Sequence, residues 1–370
     1  MIPALLASVA GLLAAPALGG LAYRAVRQRR IARALEIRAP NGIVEDRFVR
    51  IGGIDQWIGI RGEDRDNPVL LVLHGGPGSP YSMFTPILRP WERHFTVVQW
   101  DRRGVGKTLG RNGKAGSGEM TFDRMVDDGI EVAELLRAHL GQDKVVLLAS
   151  SMGTVVGVPL VQRRPDLFSA YVGTDQNVNM ARSEALSYKV TLDRLRAAGN
   201  TEGVAALEAI GADPLRWDVR GWNAKQRWVM RTDPMVRDLD RRLLLPLILT
   251  SPTYTLRDIA HVVAGLEFAA ARLFDESMTH DARRLGTRFE VPFFLFQGEA
   301  DVYTMTSLAE EYFAEVEAPH KAFALIRNAG HFAAFTRPDQ FLTELLTHVR
   351  PLVTAAAAPG QRHARADNPL

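Results

Sequence analysis

Four short apolar runs, at 69–73, 96–99, 145–148 and 170–173, are separated by stretches long enough to be helices. Strands this uniformly apolar must be buried on both faces, the condition of a parallel sheet covered by helices. Segment 120–140 suits that cover, because Phe122, Met125, Val126, Ile130, Val132, Leu135, Leu136 and Leu140 recur at helical spacing between charged positions. Ahead of the runs, 43–51 and 54–60 mix β-branched and aromatic residues with polar ones around Gly52-Gly53, which is hairpin chemistry. The expected class is α/β, opening with two antiparallel strands.

From 176 to 286 the chain turns helical, Arg-rich and Trp-containing, with Trp217, Trp222 and Trp228 close together, as an inserted cap would. Strand-like sequence resumes at 292–297 and 321–327, and a last helix is expected at 339–352. The division read from these changes is an anchor at 1–23, a basic linker at 24–42, a core at 43–175 and 287–353 around the cap, and a tail at 354–370 whose Ala, Pro, Gly and Arg content predicts disorder. With 46% hydrophobic and 24% charged residues over 370 positions, one large packed core is affordable. Five arginines between Arg24 and Arg33 make the basic character local, so no nucleic-acid surface is expected. Without cysteine there is no disulfide, thiolate nucleophile or Cys-ligated zinc.

Residues 2–23 carry no charged side chain and are about as long as a membrane-spanning helix. The arginines that follow would hold that flank in the cytoplasm, so the expectation is a single-pass N-terminal transmembrane helix with the catalytic part inside. The alternative is a secreted protein cleaved near Ala15-Pro16-Ala17, although a signal peptide carries its basic residues before the apolar run.

A serine hydroxyl attacks carbonyl carbon only when a base removes its proton, and it must stand clear of the sheet. Ala149-Ser150-Ser151-Met152-Gly153, after the run 144–148, has the small residues a sharp strand-to-helix turn needs, with Ser151 central and Ser150 its neighbour. Asp301 follows the strand-like 292–297, and His331 follows 321–327. The order Ser, Asp, His is that of the α/β-hydrolase triad, in which Asp301 would orient His331 and His331 would shuttle the proton. His74-Gly75-Gly76-Pro77-Gly78 ends the run 69–73 and can turn backbone amides toward a developing oxyanion; Gly76 and Met152 are the expected donors. His74 itself reads as a packing or hydrogen-bonding residue.

These segments resemble the proline iminopeptidase branch of the α/β-hydrolases over roughly 43–352. His74 to Gly78 matches its His-Gly-Gly-Pro-Gly, and Trp100-Asp101-Arg102-Arg103-Gly104-Val105-Gly106-Lys107-Thr108 is similar to its Trp-Asp-Gln-Arg-Gly-x-Gly-x-Ser. The resemblance implies an α/β-hydrolase fold with a mostly parallel eight-stranded sheet, a helical cap inserted after the sixth strand, and no metal or organic cofactor. It places Ser151, Asp301 and His331 in the triad and Gly76 and Met152 in the oxyanion hole, with Asp101 and Arg103 shaping the nearby loop. Two departures bear on substrate. Iminopeptidases follow their serine with tryptophan, where this chain has Met152, and carry cap glutamates for a peptide amino terminus. Here Trp217, Trp222 and Trp228 precede Asp218, Asn223 and Val229, leaving Glu267 as the candidate substrate contact.

The reading is a serine hydrolase that cleaves a small ester or amide through an acyl-serine, tethered to a membrane by its N-terminus. Its partner is a small-molecule or short-peptide substrate. Removal of N-terminal proline is the alternative within enzymes, and a non-catalytic membrane-associated binding protein is the alternative outside them. Haloalkane or epoxide chemistry on this fold needs an aspartate where Ser151 stands.

Overall fold

The computed structural model describes residues 2–235 and 245–355, and side chains from residue 18 onward. Eight strands, β1 (Ile43–Ile51), β2 (Ile54–Gly62), β3 (Val69–Leu73), β4 (Thr96–Asp101), β5 (Val145–Ser150), β6 (Phe168–Thr174), β7 (Phe293–Gly298) and β8 (Lys321–Ile326), form one sheet in the order β1-β2-β4-β3-β5-β6-β7-β8. Only β2 runs against its neighbours. The β1–β2 hairpin turns on Gly52 and Gly53, whose φ of 54° and 77° lie in the left-handed region open to glycine. Along β3 the side chains alternate between two cores: Val69, Leu71 and Leu73 join one apolar cluster, while Leu70 and Val72 join another. Both faces of the sheet are therefore covered, as its uniformly apolar strands require.

The helix Phe122–Leu140 packs Met125, Val126, Val132 and Leu136 into the first core. It starts where the Thr121 side chain accepts the Arg124 amide, and it ends at Gly141, held left-handed at φ 63°. Near its start, Asp128 pairs with Arg103, whose guanidinium also donates to the Ser117 carbonyl at 3.0 Å. Arg124 also reaches Asp128 at 3.0 Å, so it is loss of Asp128 that would leave a buried charge, on Arg103, uncompensated.

Between β6 and β7 the described chain is helical, with Met180–Ala197, Thr201–Ile210, Val219–Thr232, Leu245–Thr250 and Leu256–Met278. An isolated bridge between Asn179 and Asp281 ties the ends of this insertion together. Its small core gathers Tyr188, Leu192, Leu195, Leu207, Trp217 and Trp228, which explains the tryptophans. The last helix, expected at 339–352, runs from 338 to 355, with a π-helical turn at Leu345–Val349 that buries Leu345 and Val349.

The N-terminal helix runs from Ile2 to Ala34, so the first part of the expected linker at 24–42 is helical. No glycine or proline interrupts 21–34. Arg24 donates to the Leu249 and Tyr254 carbonyls at 2.9 and 2.6 Å, and Gln28 to the Ser251 carbonyl at 2.7 Å, docking this helix on the cap. Among the described residues no helix is long and apolar enough to cross a membrane. The expected anchor at 1–23 gains no support from the fold, and most of its side chains, like tail residues 356–370, lie outside the described ones.

Candidate active site

The C-terminal ends of four adjacent strands each contribute one polar residue to a buried cluster. β5 leads into Ser151, β6 into Asp175, β7 into Asp301 and β8 into His331. Ser151 has φ 51° and ψ −125°, a conformation costing on the order of 1–3 kcal/mol for a non-glycine residue and sustained only by its surroundings. Its amide donates to the Thr174 carbonyl at 3.1 Å, and the helix Met152–Arg163 begins directly after it. Gly153 lets that helix pass the β3 end, since a Cβ there would meet the Leu73 carbonyl oxygen at 2.5 Å. Ala149 stands where the stricter elbow pattern has glycine. Its methyl is accommodated by Gly157 one turn along, where a Cβ would lie 2.8 Å from it.

His331 Nε2 lies 3.1 Å from Ser151 Oγ, and His331 Nδ1 lies 2.9 Å from Asp301 Oδ2. With Nδ1 donating to the carboxylate, Nε2 is left as acceptor for the serine hydroxyl. Asp301 is fixed from several sides: its carboxylate accepts the amides of Tyr303 and Thr304 at 2.8 and 3.0 Å, the Thr304 hydroxyl at 2.7 Å and Gln297 Nε2 at 3.1 Å. Burial opposes ionisation of Asp301, but the His331 charge and these hydrogen bonds outweigh it and hold its pKa below the usual carboxylate value. Burial likewise opposes the imidazolium, and the charges of Asp301 and Asp175 outweigh it, lifting His331 to about 9. Tyr303 and Phe332 flank the imidazole, their ring centres 4.9 and 4.7 Å from its own.

Ser150, the other hydroxyl in the pentapeptide, is committed elsewhere. It donates to Asp175 Oδ2 at 2.9 Å and lies 2.9 Å from the Tyr81 hydroxyl. Asp175 was not singled out in the sequence, although it satisfies the criterion that found Asp301, a carboxylate just past a core strand. One ligand atom each from Asp175, Asp301 and His331 falls within 4.8 Å of the others. Both imidazole nitrogens already face partners, so the cluster reads as a hydrogen-bonded relay.

The His74–Gly78 segment lies against the nucleophile. A Cβ on Gly75 would stand 2.7 Å from Ser151 Cβ, and Gly76 adopts φ 48°. Gly78 faces the cap helix Leu256–Met278, where a Cβ would meet the Gly265 carbonyl oxygen at 2.4 Å. His74 is buried and takes part in no relay: Arg102 donates to its carbonyl at 2.6 Å and lies within 3.3 Å of both ring nitrogens. Asp101 accepts the Ser82 and Tyr254 hydroxyls at 2.8 and 3.1 Å and the Lys107 amide at 3.0 Å, so it and Arg103 brace the loops around the site.

Beside Met152 a small cavity of about 10 Å³ lies between Pro77, Met180, Trp222, Phe274 and Met278. A larger recess of about 80 Å³ near Trp57, Arg61 and Glu92 includes none of the relay residues. Behind the first cavity, Trp222 Nε1 donates to Glu184 at 2.8 Å, and Glu184 is paired with Lys225, both buried. This ion pair joins two cap helices and was not apparent in the sequence. Glu267, the expected substrate contact, is exposed on the helix Leu256–Met278, where its neighbour Leu266 approaches Gly76.

Residues 68–338 match the family model described as the alpha/beta hydrolase fold. The probable aminopeptidase YbaC of Bacillus subtilis (strain 168) is 30% identical over 308 residues, covering 81% of this chain and 94% of that one. A proline iminopeptidase of Saccharolobus solfataricus is 30% identical over 116 residues, 31% of this chain and 35% of its own. The crystal structure of a membrane phospholipase A described as a bacterial virulence factor superposes with a TM-score of 0.59 at 18% identity, covering 97% of this chain and all of that one. With the matched model spanning most of the chain and a relative described as a probable aminopeptidase aligned over most of both chains, this protein belongs to the α/β hydrolases, in their proline iminopeptidase-like branch, and is a hydrolase.

Proposed function

We propose that the chain is a serine hydrolase that passes the acyl group of a small apolar ester or amide to water through an acyl-serine. The observation that carries this is the continuous contact Ser151–His331–Asp301 at the ends of neighbouring strands. In this reading His331 Nε2 takes the Ser151 proton as Oγ bonds to the substrate carbonyl carbon. The carbonyl oxygen becomes an oxyanion facing the Gly76 and Met152 amides, the latter on the first residue of a helix whose opening amides have no intrahelical partner. Asp301 holds the imidazolium, which then gives its proton to the leaving group as the carbon–oxygen or carbon–nitrogen bond breaks. Water repeats the cycle and frees the acid.

The cavity walls of methionine, tryptophan and phenylalanine support an apolar acyl or leaving group. Removal of an N-terminal residue is the second reading, favoured by the similarity to a probable aminopeptidase. Against it, the buried cap carboxylate nearest the cavity wall, Glu184, is already paired with Lys225, and Glu267 faces solvent. Turnover of p-nitrophenyl butyrate and proline p-nitroanilide by the purified chain separates the two. The ester is expected to be preferred by at least about tenfold in kcat/KM, a difference of the size pocket chemistry delivers; preference for the anilide would reverse the order.

For localisation we propose attachment to a membrane through 2–23, supported by its lack of charge and the arginines that follow. Fractionation of cells expressing the full chain and a form lacking 2–23 tests it. Equal soluble recovery of both forms would refute it.

A further inference from the structure

Asp175 is the one member of the strand-end cluster that the serine-hydrolase reading leaves without a role. It occupies the end of β6, between the strands carrying Ser151 and Asp301, with a left-handed φ of 52° that an aspartate seldom adopts. Its side chain is fully buried. One carboxylate oxygen accepts the Ser150 hydroxyl at 2.9 Å, and the other faces the Phe332 and Ala333 amides at 3.1 and 3.5 Å, the two residues directly after His331. A carboxylate oxygen of Asp175 also lies within 4.8 Å of a His331 nitrogen and of an Asp301 oxygen.

We propose that Asp175 is a second acid for His331, a positioning residue that holds the histidine loop by its amides and shares with Asp301 the stabilisation of the imidazolium. The inference rests on the serine-hydrolase reading for its catalytic consequence but not for its electrostatic one. Two carboxylates facing one imidazole hold a proton on it more firmly than one does. The charged groups around His331 are Asp301 from the β7 end, Asp175 from the β6 end and, farther off, Asp233 from the cap, which has Arg194 as a partner at 3.6 Å. On the far side of Asp175, the Tyr81 hydroxyl is linked to it by hydrogen bonds through Ser150 and also feels its charge directly. Burial raises the Asp175 pKa to about 6, so at neutral pH its charge is present.

The consequence is a crossed pH dependence. Asp175→Asn keeps the shape and removes the charge, so His331 loses its proton at lower pH while the imidazolium formed during reaction is less stabilised. The midpoint of the rising limb of kcat/KM is expected to fall by about one pH unit. The plateau should fall about tenfold with KM little changed. A purely structural defect lowers the whole profile without moving its midpoint. In an Asp301→Asn background the same change should cost more than it does in the parent, because the remaining acid is then lost.

The decisive readout is the NMR titration of the His331 imidazole in the full chain and in Asp175→Asn, with Asp175→Gly, which suits the positive φ, as the variant if the asparagine form does not fold. A midpoint lower by about one unit is expected; an unmoved midpoint overturns the proposal. Because this titration needs no turnover, failure of the hydrolase reading, seen as absence of ester cleavage by the parent, is distinguishable from failure of the Asp175 proposal.

Discussion

The strand-end cluster and the cap above it both bury charge, but they use it in opposite ways. At the sheet edge, Asp301 and Asp175 are surrounded by donors that leave their charge directed at His331 and, through it, at Ser151. In the cap, Lys225 and Glu184 neutralise each other, and the cavity wall beside them is apolar. In the proposed reading, chemistry belongs to the sheet and selection to the cap. The proposed bond-making groups follow strands that cannot shift without disturbing both cores, while the surface proposed to meet the substrate belongs largely to helices with a small core of their own.

The largest expected effect breaks the sheet side. Ser151→Ala or His331→Ala should lower kcat toward p-nitrophenyl butyrate by about 10⁴-fold or more while the circular dichroism spectrum is unchanged. A loss below tenfold would show that the chemistry lies elsewhere.

Next come the two buried ion pairs, one on each side of the comparison. Asp128→Ala strands Arg103 beneath the loop beside the site, and Lys225→Met strands Glu184 in the cap. Each should cost about 3–5 kcal/mol in urea unfolding. If the Lys225 change were nearly neutral, the cap carboxylate would have to be available to a substrate cation, and the assignment of selection to apolar walls would weaken.

The pH dependence follows from the sign of the His331 shift. A general base must be neutral, and both carboxylates favour its charged form, so kcat/KM should climb about tenfold per pH unit below the midpoint and level off above about 9. A profile already flat from pH 6 would contradict the electrostatics of the cluster. The smallest effect belongs to the cap: Trp222→Ala enlarges the cavity and should shift preference toward longer acyl esters by about tenfold, leaving the rising limb where it was.

Much of this architecture was legible because burial on both faces forces apolar strands and because a nucleophile turn needs small residues. The β strands appear where the apolar runs stand, and Ser151, Asp301 and His331 meet. Asp175 escaped because the order Ser, Asp, His is complete without it; only the fold, with β6 ending at Thr174, places its carboxylate beside His331. The Lys225–Glu184 pair was illegible for a different reason. It depends on how two cap helices are phased against each other, and neither helix alone announces a buried charge. The π turn at Leu345–Val349 is equally a matter of packing, since the apolar spacing of 339–352 is compatible with a regular α-helix.

The central claim is that Ser151, rather than the adjacent Ser150, is the nucleophile. Purified full-length protein treated with a fluorophosphonate and mapped by mass spectrometry should carry the adduct on Ser151, and Ser151→Ala should carry none. A label on Ser150, or none under conditions that label a control serine hydrolase, would contradict the account.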